Sequence, residues 1–102
     1  MRLSEQQCSI IRTAVADNFG TEANVWLFGS RLDDAARGGD IDLYIEPATD
    51  DADAIVEAKL NFLVALYKQL GEQKIDVVIR RPGFKQNLSI YQVAKQTGVK
   101  LS

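Results

Sequence analysis

Two short strand-like runs joined through a polar excursion constrain this chain more than any other feature. Phe28-Gly29-Ser30 closes the first run, nine residues follow, and the second run opens as Asp40-Ile41-Asp42-Leu43. Ile41, Leu43 and Ile45 alternate with Asp40, Asp42, Tyr44 and Glu46, a period-two pattern that predicts one face in the core and one polar face. Asp40 and Asp42 are then same-face neighbours, about 6–7 Å apart at their Cα atoms. Two carboxylates that close repel unless a cation sits between them. Their hard oxygens suit Mg²⁺, which takes one or two carboxylates together with substrate phosphates. Gly29-Ser30 offers unhindered backbone N–H groups and a hydroxyl, a combination that suits a phosphate tail. The stretch therefore predicts a metal–nucleotide site.

The rest of the chain reads as one domain. At 102 residues it is long enough to bury a single core, and 46% hydrophobic against 25% charged residues is an ordinary globular composition. A net charge of −2 argues against a general nucleic-acid surface or an anionic-membrane surface. No apolar run is long enough to span a bilayer, no signal-peptide pattern is present, and one cysteine, Cys8, forms no internal disulfide. These features predict a cytoplasmic location. The absence of histidine removes imidazole bases and His-based zinc sites, so acid–base chemistry falls to carboxylates, Lys, Tyr or bound water.

Helical periodicity predicts an amphipathic helix over 4–19, with Ser4 and Gln7 as a capping box. Ile10, Ile11, Ala14, Val15 and Phe19 form its apolar stripe, with Cys8 at the edge as a small buried hydrophobe. A buried strand follows over 24–28, where Trp26 and Phe28 alternate with Val25 and Leu27 so that both faces are covered. The segment 32–37 is ambiguous, and its Asp33 and Asp34 read as solvated charges. A long helix spans 54–70, its stripe built from Ile55, Leu63, Leu66 and Leu70 beside Ala58, Phe62 and Tyr67. Asp50, Asp51 and Asp53 fall where a helix N-terminus favours negative charge. A third strand covers 74–80. A last helix covers 86–96 with Leu88, Tyr91 and Ala94 inward, and Val99-Lys100-Leu101 adds a short terminal strand. The order predicts an α+β domain of two layers, a mixed sheet with helices packed on one face.

Asp76 is a third acid, set mid-strand between Ile75 and Val77, where a charge needs a partner or an exit to water. Taken alone it reads as a structural pair with Arg80. Taken with Gly29-Ser30 and Asp40-x-Asp42 it reads as part of the same site.

The ordered set Phe28-Gly29-Ser30, Asp40-Ile41-Asp42-Leu43 and a later-strand Asp76 closely resembles the signature of the DNA polymerase β-like nucleotidyltransferases. The match is nearest to their minimal stand-alone members, and it covers nearly the whole chain, although the gap between the two motifs is slightly shorter than in many of them. The resemblance implies a nucleotidyltransferase that moves a nucleoside monophosphate, AMP from ATP or its equivalent from another NTP, to a hydroxyl. It implies two Mg²⁺ ions bound with the nucleotide, held by Asp40, Asp42 and Asp76 as metal ligands and catalytic acids. Gly29, Ser30 and Arg31 would bind the nucleotide, with Arg37 a weaker candidate and Arg80 and Arg81 at the border. No acceptor-gripping domain accompanies the core, so a partner or a homo-oligomer would complete the site. Similar minimal proteins act as antitoxins that attach AMP to a tyrosine of a small helical HEPN-type toxin. A transferase working with a separate substrate-binding protein, and a non-catalytic partner-binding module, are the alternatives.

Overall fold

The computed structural model describes residues 3–29, 41–71, 74–84, 86 and 88–101. Helix α1, Glu5–Phe19, starts where the sequence sets its cap. The Gln7 N–H donates to Ser4 Oγ at 3.1 Å and the Ser4 N–H donates to the Gln7 side-chain oxygen at 2.9 Å. Strands β1, Asn24–Phe28, and β2, Ile41–Glu46, follow. Helix α2, Ala52–Leu70, begins two residues before the apolar periodicity predicts, because Asp51 is its N-cap and accepts from the N–H groups of Asp53 and Ala54. Asp50 is used differently: its carboxylate accepts from the Gly83 N–H at 3.1 Å and ties the loop after β3 to the loop before α2. Strand β3, Ile75–Ile79, helix α3, Ser89–Thr97, and strand β4, Val99–Lys100, complete the order. Among the described residues no helix is long and apolar enough to cross a membrane.

The sheet has the order β3-β2-β1-β4. β2 pairs antiparallel with β1 and parallel with β3, and the two-residue β4 closes the other edge antiparallel to β1. Parallel pairing of β2 with β3 needs a crossover, and α2 supplies it. One sheet face carries Val25, Leu27, Ile41, Leu43, Ile45 and Ile75, buried against Ile11, Ala14, Val15 and Phe19 of α1 and Ala58, Phe62 and Leu66 of α2. Phe19 meets Phe62 edge-on at 5.4 Å between ring centroids. Cys8 is a free thiol buried in this core, as its place beside the α1 stripe predicts.

The opposite face corrects two expectations. It is not simply polar, because Tyr44 is fully buried there and stacks with Trp26 at 5.3 Å and Tyr91 at 5.6 Å. Nor are all helices on one side. α1 and α2 share a face, whereas α3 sets Tyr91 and Ala94 against Trp26, Phe28 and Tyr44 on the other. The period-two pattern identifies Tyr44 as facing away from the main core but not that a second apolar cluster waits there. α3 also starts later than the periodicity predicts: Leu88 has extended backbone as the N-cap and is exposed rather than inward.

The Tyr44 hydroxyl donates to Glu46 Oε2 at 2.7 Å, and the Lys95 ammonium lies 3.3 Å from the same oxygen. Burial, reinforced by the adjacent Glu46 carboxylate, pushes the Tyr44 phenol well above its ordinary 10.0, with Arg80 pulling weakly the other way. The folded state therefore keeps a proton that the unfolded chain releases above about pH 10, so this contribution to stability is intact below pH 10 and lost as pH rises beyond it. Thermal melts from pH 8 to 11 should show stability falling above pH 10. Tyr44→Phe should flatten that fall while costing about 1–2 kcal/mol at neutral pH through the lost hydrogen bond; an identical alkaline slope in the variant would contradict the assignment.

Candidate functional site

Strand register brings three of the sequence-predicted residues together. Phe28 is paired with Asp42 across the antiparallel β1–β2 ladder, and Asp42 is paired with Asp76 across the parallel β2–β3 ladder. Paired residues project to the same face, and neighbouring strands are about 4.8 Å apart. Asp42 and Asp76 therefore stand side by side on the face that also bears Tyr44 and Trp26. They sit at the end of the sheet where β1 finishes and β2 and β3 begin.

Gly29 completes the corner. It follows Phe28 with φ +81°, a left-handed conformation that side chains rarely adopt. A Cβ placed on it would collide with Oδ2 of Asp42. The glycine is thus required twice, once for the turn out of β1 and once so that its backbone can lie directly against the Asp42 carboxylate. The sequence reading assigned Gly29 to phosphate binding; its close approach to Asp42 is a further role that the residue pattern alone does not disclose.

The electrostatics follow from the register. Like charges directly opposite on neighbouring strands destabilise a sheet. Asp42 is half-buried and Asp76 exposed. Lys74 lies 4.0 Å from Asp76, with both side chains more than half exposed, which makes a weak, screened pair. Lys74 is a neighbour that the sequence reading did not single out, although its i, i+2 spacing from Asp76 on a strand was available as a signal. The alternative pair of Asp76 with Arg80 is not formed. Arg80 lies with its guanidinium 5.1 Å from the Tyr91 ring centroid, and it is four positions along the chain from Asp76, roughly 13 Å when extended.

Asp40, Ser30 and Arg31 lie outside the described residues, as do Asp33, Asp34 and Arg37. Among the described residues no group of three or more Asp, Glu, Cys or His is arranged to hold a metal ion. The two placed carboxylates nevertheless fit one in kind: both are hard oxygen donors, they come from adjacent strands, and Mg²⁺ needs only one or two carboxylates when phosphates supply other ligands.

A cavity of about 330 Å³ opens at the opposite end of the sheet, lined by Glu22, Asn24, Glu46, Arg80 and Arg81 among others. Asn24 pairs with Glu46 at the far end of the β1–β2 ladder from Phe28 and Asp42, so this cavity is separate from the carboxylate corner. Arg80 and Arg81 accordingly do not border that corner. Two guanidiniums offset by two carboxylates give the cavity no net charge with which to hold a triphosphate. No protein-family model matches the chain, and no curated protein matches its sequence.

Gly29→Ala should cost about 1–3 kcal/mol in chemical denaturation, since it combines left-handed strain with the collision at Asp42. Removing the second half of the collision in Gly29→Ala/Asp42→Ala should recover part of that loss, a positive coupling between neighbours. Strict additivity of the two single changes would mean that Gly29 and Asp42 do not touch.

Proposed function

We propose that the chain is an Mg²⁺-dependent nucleotidyltransferase that moves AMP, or another nucleoside monophosphate, from its triphosphate to a hydroxyl of a partner. The observation that supports this reading best is the in-register placement of Asp42 and Asp76 on one sheet face, with Gly29 against Asp42. Two hard carboxylate donors on adjacent strands, with glycine backbone lying against one of them, are the groups an Mg²⁺-bound triphosphate would use.

In this reading Asp40, Asp42 and Asp76 would hold the metal. When bound, Mg²⁺ supplies charge neutralisation at the triphosphate and acidifies the acceptor hydroxyl. The chain's own groups do the rest. Gly29 and Ser30 bind the β- and γ-phosphates through backbone N–H groups and the hydroxyl, with Arg31 as an added cation. The acceptor oxygen attacks the α-phosphorus, the bond from that phosphorus to the bridging oxygen breaks, and pyrophosphate leaves with the electron pair. Asp76, the more exposed acid, takes the acceptor's proton. With no histidine in the chain, an imidazole base is excluded, and Asp76 is the carboxylate placed beside Asp42. The acceptor proposed is a tyrosine of a small helical HEPN-type toxin, which makes the chain the antitoxin of the pair; this part rests on the motif resemblance.

Labelled ATP incubated with the chain and a co-expressed helical partner should place label on the partner. Asp76→Asn should reduce transfer by about 10²-fold or more, as expected for loss of a general base and a metal ligand, while affinity for a non-hydrolysable ATP analogue changes little. That split is the signature of an interaction made chiefly in the transition state. Near-normal transfer by Asp76→Asn would remove it from the chemistry. Label on a small molecule instead would point to a different acceptor class, and analogue binding without transfer to a partial, non-catalytic site.

A further inference from the structure

Helix α2 buries one face and leaves an unusual one in solvent. Ile55, Ala58, Phe62 and Leu66 face the core. Val56, Leu60, Val64 and Tyr67 are exposed, at 62, 62, 51 and 44%. At 3.6 residues per turn these four form one continuous stripe on the side away from the buried set. Isolated exposed apolar residues are ordinary, but a contiguous apolar stripe exposed on a helix and flanked by charged residues, here Glu57, Lys59 and Lys68, marks an interaction surface.

We infer that this stripe is the interface of a two-fold homodimer in which α2 lies antiparallel to α2 of a second copy. The stripe is complementary to itself in charge as well as in shape. Glu57 and Lys68 are about three helical turns apart, so they lie on the same flank of the stripe, as Val56 and Tyr67 lie on the same line within it. The two-fold axis relating two antiparallel helices maps each flank onto itself. Setting that axis level with Phe62 and Leu63 places Leu60 opposite Val64 of the second copy and Val56 opposite its Tyr67. The same setting places Glu57 opposite its Lys68, twice over by symmetry. One register thus satisfies the apolar pairs and the charge pairs together. Lys59, on the other flank, is held about two helical turns from its own copy, so no like-charge contact arises. Antiparallel macrodipoles add a favourable term. A helix pair alone is a small interface, toward the low end of specific contacts, so the dimer is reversible and concentration-dependent.

This inference does not depend on the reaction proposed above. Sedimentation equilibrium of the full chain should show a monomer–dimer equilibrium in the micromolar range. Leu60→Glu/Val64→Glu should abolish the dimer, with far-UV circular dichroism and melting temperature of the monomer preserved because both side chains are exposed. Glu57→Lys and Lys68→Glu should each weaken dimerisation several-fold, and the double reversal Glu57→Lys/Lys68→Glu should restore it. A strictly monomeric chain up to millimolar concentration would overturn the inference. So would a dimer indifferent to the Leu60 and Val64 changes, or a double reversal no better than either single one. Association of the stripe only with a different protein would likewise count against it.

Discussion

β2 makes ladders on both sides, antiparallel to β1 and parallel to β3, and that double pairing sets both the core and the site. Its odd residues, Ile41, Leu43 and Ile45, are fully buried under α1 and α2. Its even residues are divided between Asp42 at one end, Tyr44 in the middle and Glu46 at the other. A one-residue slip in register would turn the acids into the core and Ile41, Leu43 and Ile45 out of it. The hydrophobic term that fixes the fold therefore also fixes where the carboxylates stand. The acids tolerate that position because the apolar face, and not their own interactions, holds the register.

The two ends of the second face are chemically different for the same reason. At the Asp42 end, same-sign charges meet across the β2–β3 ladder and backbone approaches one of them through Gly29. At the Glu46 end, the carboxylate is neutralised by Lys95 and hydrogen-bonded by Tyr44, with Arg80 over Tyr91 nearby. One end is a hydrogen-bonded and ion-paired network. At the other, two carboxylates stand in register on neighbouring strands, with Lys74 beside Asp76. α3 and the Trp26–Tyr44–Tyr91 stack separate them and give the middle of this face an apolar filling.

Much of this was legible from residues alone. The α1 capping box, β1, β2 and the short closing strand β4 follow from local chemistry and period-two or helical spacing. The pairing of Asp42 with Asp76 could only be anticipated through motif resemblance, because register between strands separated by a crossover helix is a tertiary property. The side of the sheet taken by α3 was not legible for a similar reason: Tyr91 and Ala94 show which face of the helix is apolar, but not which face of the sheet receives it. α2 misled in a different way. Its apolar residues cover more than one face, so the periodicity marked Tyr67 as core alongside Leu66; Tyr67 is exposed, whereas Leu63 and Leu70 pack half-buried against the core as expected.

The central claim is that the corner formed by Gly29, Asp42 and Asp76 receives a metal-bound triphosphate. Paramagnetic broadening tests it without relying on turnover or on a partner. Mn²⁺ added with a non-hydrolysable ATP analogue to isotope-labelled protein should broaden the amide signals of Gly29, Asp42 and Asp76 first. The signals of Asn24, Glu46 and Arg81, at the far end of the sheet, should stay sharp. Broadening centred on that far end, or no nucleotide-dependent broadening at the Asp42 end, would contradict it.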